Sequence, residues 1–269
     1  MVFALNACSD KMDDPVCFDF DELLETYQNV CPSVTDAIEI PDFWINTNPY
    51  NLPSPTDETV RSTSTCGLLV TLLEYPLGVF LVASSNLFEP RVSMFNNELR
   101  SNKVAVEFFK RGNFYPVLVS KYLSVIKKNI EWGGRAADSP YYIQWLLASD
   151  MCMSAMNKKE KIQLMVIALE RTKYALDMEN QEPCLIMISI MKSFKYAPFM
   201  KDIEPRLIET IMGYAMLKPG VEPMFYEYAG YTMYYHRPGE VEDGYLNVLS
   251  SHSVDMIIKY AKQFLNEQK

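Results

Sequence analysis

A chain of 269 residues with 49% apolar and 22% charged side chains is long enough for a substantial core, since a chain of this length buries roughly three quarters of its unfolded surface. Its formal charge of −9 argues against a nucleic-acid partner, because phosphate neutralisation needs Lys and Arg gathered on one face and no such gathering is visible along the chain. Glycine is scarce, at 10 residues, beside 16 methionines and 17 tyrosines, a balance that favours helices over a turn-rich β fold.

The opening Leu5-Asn6-Ala7-Cys8 resembles a bacterial lipoprotein box, in which the cysteine is lipidated and becomes the mature first residue. The acidic Ser9-Asp10-Lys11-Met12-Asp13-Asp14 that follows looks like the tether of such proteins, and in the Bacteroidetes an acidic tether resembles a surface-export signal. What this implies is a cell-envelope address, lipid-anchored at Cys8 or secreted; without it the chain reads as cytoplasmic. A working signal carries a basic n-region and an apolar stretch of roughly 7 to 15 residues. Only seven residues, none of them basic, precede Cys8, so either the true start lies upstream or the match is chance. Residues 1–16 are accordingly read as signal remnant and tether.

Residues 17–62 read as a short helix followed by an extended proline-rich segment. Phe20, Leu23, Leu24 and Tyr27 have helical spacing, with Asp19, Asp21 and Glu22 where the helix dipole favours negative charge. From Cys31 to Ser62 the prolines at 32, 41, 49, 53 and 55 predict a chain laid across the surface without a helix. Residues 63–269 form the helical domain. It opens with a helix from Thr65 to Pro76 that is apolar nearly all round and is therefore expected to be buried. Val104, Ala105, Phe108 and Phe109 share one later helix, and Leu118, Tyr122, Val125 and Ile126 another, divided by Gly112-Asn113.

Ser139-Pro140 supplies a cap and first residue for a helix carrying Tyr142, Trp145, Leu146, Ser149, Cys152, Met153 and Met156. Asn157 and Glu160 match a capping box ahead of Ile162, Met165, Val166, Leu169 and Leu176. Glu182-Pro183 and Glu204-Pro205 open two further helices. Pro140 and Pro183 are 43 positions apart, the length of a HEAT or armadillo unit, which runs ~40 to 47 residues. The fold class is thus all-α: antiparallel helix pairs stacked as an irregular HEAT-like repeat or a bundle. After Leu217 glycine and proline interrupt a tyrosine-rich run that reads as loop and short helix. A last amphipathic helix turns Val254, Ile257, Ile258, Ala261, Phe264 and Leu265 inward and Asp255, Lys259, Lys262 and Asn266 outward.

The passages Ser64-Thr65-Cys66-Gly67-Leu68-Leu69-Val70-Thr71-Leu72-Leu73-Glu74-Tyr75-Pro76-Leu77 and Phe114-Tyr115-Pro116-Val117-Leu118 are similar to segments of uncharacterised secreted or lipid-anchored proteins of gut Bacteroidetes. The resemblance spans roughly Arg61 to Val125 and implies an address and a helical fold, with no activity or catalytic residue to carry over.

Six cysteines form no C-x-x-C pair, which disfavours zinc. Cys66, Cys152 and Cys184 fall within apolar helical patterns, where a buried free thiol acts as a small hydrophobe; Cys17 and Cys31 flank a short helix and pair only in an oxidising compartment. Phosphate-loop, dinucleotide, nucleophile-elbow and zinc-helix motifs are all missing, so no cofactor or metal is called for. Two histidines leave few ways to build a Ser-His-Asp relay.

The candidate functional surface is Pro223 to Tyr245, where Tyr226, Tyr228, Tyr231, Tyr234 and Tyr235 accompany His236 and Arg237. Tyrosine offers a rigid apolar face with a hydroxyl at its tip, suited to sugar or peptide recognition, or alternatively to stapling a loop onto helices. Trp132 and Arg135, flanking Gly133-Gly134, are a second candidate. The leading expectation is a non-catalytic envelope binding or scaffold protein for an unknown peptide, glycan or envelope protein. Its alternatives are a hydrolase using paired carboxylates near 223–245, and a structural part of a surface assembly.

Overall fold

The computed structural model describes residues 25–27, 30–31, 33–39, 54–74, 91–131, 141–172, 181–202, 224–228, 231–235, 246–249 and 251–268. The class is all-α. In chain order come α1 (Asp57–Ser62), α2 (Thr65–Glu74), α3 (Arg91–Ser101), α4 (Lys103–Lys110), α5 (Phe114–Glu131), α6 (Tyr141–Ala148), α7 (Asp150–Ala155), α8 (Lys158–Thr172), α9 (Gln181–Ser193) and α10 (Ala197–Asp202). Three short strands, β1 (Met224–Tyr228), β2 (Tyr231–Tyr235) and β3 (Leu246–Leu249), precede the last helix α11 (Ser251–Glu267).

Helix α9 occupies the centre of the stack because every residue from Pro183 to Met191 is buried, and a helix apolar on all sides has no face to give to water. It packs against α6, α8 and α11. On α11 Val254, Ile257, Ala261, Phe264 and Leu265 are buried, and Asp255, Lys259, Lys262 and Asn266 are exposed, as the periodicity predicts, whereas Ile258, expected inward, is half-buried and Tyr260 is buried as well. Trp145, Phe108, Phe199 and Phe264 are fully buried in the same continuous core.

Two helix boundaries follow the sequence signals. The turn at Arg111, Gly112 and Asn113 separates α4 from α5. Asn157 and Glu160 form the reciprocal box: the Asn157 N–H donates to Glu160 Oε2 at 2.8 Å and the Glu160 N–H to Asn157 Oδ1 at 3.0 Å. The stripe from Tyr142 to Met156 is not one helix, however. It breaks at Ser149, whose hydroxyl accepts from the Cys152 N–H at 3.2 Å and so caps α7. A second unforeseen boundary closes α9, where Lys195 has φ 50°, the Tyr196 N–H reaches Met191 O and the Lys195 N–H reaches Lys192 O, both at 3.0 Å. This is a Schellman motif with lysine in the left-handed position usually given to glycine.

The amino-terminal side differs most from expectation. Residues 33–39 and 54–56 carry no regular structure, in keeping with an extended segment, but α1 sits inside the stretch whose prolines argued against any helix. No proline follows Pro55 in that stretch; Thr56 caps the helix by accepting from the Thr59 N–H at 3.1 Å, and Asp57 and Glu58 occupy the first turn. Residues 25–27 are helical, and the rest of the Phe18–Gln28 helix lies outside the described residues, as do Pro140 and Glu204-Pro205 of the repeat pattern.

Cys66 is not a free thiol. It is bonded to Cys31, with the Cα atoms 5.9 Å apart, while Cys152 and Cys184 are free and buried; Cys17 lies outside the described residues. Alongside the disulfide, Asp36 accepts from the Ser64 N–H at 2.6 Å and from its hydroxyl at 2.9 Å, and the Ile38 N–H donates to Thr71 Oγ1 at 2.8 Å. Ser64 in turn accepts from the Gly67 N–H at 3.0 Å. Asp36 thereby does from 28 residues upstream what the fourth residue of a capping box does locally. Gly67 stands at that fourth position, and a Cβ there would come within 2.5 Å of Asp36 Oδ1.

Candidate functional site

Tyr226, Tyr228, Tyr231, Tyr234 and Tyr235 fall on β1 and β2, so the reading of this stretch as loop and short helix is corrected. The strands pair antiparallel in the order β1-β2-β3, with Tyr228 opposite Tyr231, Phe225 opposite Tyr234 and Tyr234 opposite Leu246. Two residues, Ala229 and Gly230, join β1 to β2, which fits a hairpin. By register, Tyr226, Tyr228, Tyr231 and Tyr235 occupy one parity of the ribbon and Tyr234 the other. His236, Arg237, Trp132, Arg135 and Cys8 lie outside the described residues, as do Glu240, Glu242 and Asp243 of the carboxylate reading.

A second surface, made from residues no motif singled out, is a groove across α1, α3, α4, α7, α8 and α9. Three cavities of about 250, 340 and 470 Å³ share walls along it, Arg100 lining all three. Its geometry is built from helix starts. Asn102 interrupts the chain between α3 and α4, accepting from the Val104 and Ala105 N–H groups at 2.9 and 3.1 Å, and so sets Lys103, Glu107 and Lys110 of α4 along the groove edge. Buried Asn96 on α3 accepts from the Asp150 N–H at 2.9 Å. One turn later Arg100 reaches the same residue's carboxylate at 3.0 Å, so α3 holds the start of α7 by backbone and side chain at once.

The acids of the groove are each matched to a cation. Lys103 pairs with Asp57 at 2.6 Å across α4 and α1, and Arg111 pairs with Glu107 at 2.8 Å. The Lys103 hydrogen bond and charge hold the Asp57 carboxyl below its ordinary range, the reverse of what a general acid requires. Arg111 also donates to Arg61 O at 2.9 Å, a cation on the last carbonyls of α1 where the dipole favours it. Cys152 and Cys184 are buried, and burial pushes both thiols well above their ordinary range, which leaves them inert. The middle cavity has an apolar wall of Val106, Phe109, Met151 and Ala155.

Among the described residues no group of three His, Cys, Asp or Glu side chains is placed to hold a metal, and no helix is long and apolar enough to cross a membrane. The cationic groove escaped the sequence because its charges come from six helices and adjoin only in space. Comparison of the chain with protein-family models, with curated proteins and with solved structures returns no match.

Proposed function

We propose that the protein is a non-catalytic binding or scaffold protein of the cell envelope, in which helix pairs stacked in the HEAT-like manner offer a groove to a partner. The observation that carries this reading is the groove itself: continuous, polar at both ends, and lined by carboxylates already committed to ion pairs across helices. Ion pairs that bridge helices suit recognition, since they set complementary charges along a binding surface. Two further features support the address. The Cys31–Cys66 disulfide belongs to chains that mature in an oxidising compartment, and Leu5 to Cys8 resembles a lipidation box. Kinship with secreted or lipid-anchored proteins of gut Bacteroidetes is part of the same proposal.

The test is fractionation of cells expressing the full chain, with thiol alkylation and amine-reactive cross-linking before lysis. The expected result is recovery with the envelope fraction, Cys31 and Cys66 protected from alkylation, and a discrete cross-linked species larger than the chain. Recovery as a reduced cytosolic protein that forms no cross-linked species would overturn it.

A further inference from the structure

The charge of the groove is opposite to that of the chain. In a protein of net charge −9, the three cavities are lined by six cations, Arg61, Arg100, Lys103, Lys110, Lys161 and Lys192, against three carboxylates. All three carboxylates are already in ion pairs. Lys110, where the first and middle cavities meet, and Lys192, in the third, make no ion pair among the described residues, and the Lys161 ammonium stands 5.6 Å over the Phe194 ring. Positive charge left over in a concave strip concentrates anions there.

We propose that this groove binds an acidic peptide segment of a partner protein, with carboxylates at Lys110 and Lys192 and an apolar side chain against Val106, Phe109 and Met151 between them. The inference rests on the binding reading above and names its ligand class. The wall composition selects peptide over sugar: Phe109 is the one aromatic ring among the lining residues, whereas sugar sites use several such platforms. It also selects a short acidic segment over nucleic acid, because the ion pairs leave only four of the groove's six cations without a carboxylate among the described residues, few for tracking a long phosphate backbone.

Fluorescence anisotropy on the full chain tests this with a labelled Glu-Asp-Leu-Glu-Phe-Glu-Asp peptide, its Gln/Asn counterpart, an oligogalacturonate and a single-stranded oligonucleotide. The acidic peptide should bind, with affinity falling as salt rises. Replacing its carboxylates by amides, or making Lys110→Glu with Lys192→Glu in the protein, should each weaken binding tenfold or more, with circular dichroism of the variant unchanged. Should the Glu pair impair folding, Lys110→Gln with Lys192→Gln serves instead, with a smaller loss in the same direction. Equal binding of the amide peptide, indifference to the lysine changes, or tighter binding of the oligogalacturonate or oligonucleotide would overturn the proposal. If the envelope cross-link described above persists in the lysine variant, only the groove assignment has failed; if the unaltered chain forms none, the binding reading has failed too.

Discussion

The segment from Cys31 to Ile38 and the helix α9 are anchored to one core by opposite means. Residues 33–39 have no regular structure, and the segment reaches α2 and the Ser64 before it through a disulfide, two bonds from Ser64 to Asp36 and one from Ile38 to Thr71. Helix α9 is held by the burial of Leu185, Ile186, Met187, Ile188, Ile190 and Met191. Burial is non-directional and sums over many small contacts, so it hangs on the redox state or protonation of no single group. Directional ties are few, and each depends on redox state or protonation.

The contrast is sharpest where the effects are largest. Ile186→Ala removes a fully buried side chain at the centre of the stack and is expected to cost about 2 to 5 kcal/mol, read as a lower denaturation midpoint with unchanged slope. Reducing the disulfide, or replacing Cys31 and Cys66 by serine, frees a loop of sequence separation 35 and should cost about 4 kcal/mol on chain-entropy grounds; an unchanged midpoint would show that the segment is held without it.

Gly67→Ala ought to gain about 1 kcal/mol of helix propensity, but its Cβ would displace Asp36. The net expectation is a loss of about 1 kcal/mol that shrinks when Asp36→Ala is already present, with the Thr63 Cγ2 contact at 2.8 Å left to relax. Additive effects in that double-mutant cycle would break the argument. The smallest effect is in pH. The Ser64 N–H and hydroxyl hold the Asp36 carboxyl below its ordinary value, so its stabilisation is complete above the unfolded carboxylate pKa of about 4 and is lost as pH falls through the lower folded value. Asp36→Asn should flatten that acid limb of a thermal-stability profile.

What was legible in the sequence follows the same division. The inward face of α11, the Asn157–Glu160 box and the Gly112-Asn113 break are local patterns of two to twelve residues, and a periodic pattern displays burial directly. The disulfide was not legible, because Cys66 sits in a helix whose apolar surroundings suit a free thiol equally well, and nothing local points to Cys31. Helix α1 was hidden by averaging over a proline-rich stretch; its Thr56-Asp57-Glu58 start is a cap signal that a shorter window would find. The hairpin had a signal too, two five-residue runs rich in aromatics joined by Ala229-Gly230, which β propensity and loop length together favour. Lys195 in a left-handed position, with no glycine at hand, had none. The groove had none either, since its cations are scattered from position 61 to 192 and become a patch only after six helices pack.

Amide hydrogen exchange with and without reductant addresses the contrast between tied segment and packed stack most directly. On reduction, the amides of Ile38, Ser64, Gly67 and Leu68 should lose protection while those of 184–191 and 254–265 keep theirs. Equal loss of protection in both sets would contradict the account, because it would make the disulfide a support of the whole stack and not the fastening of one segment to it.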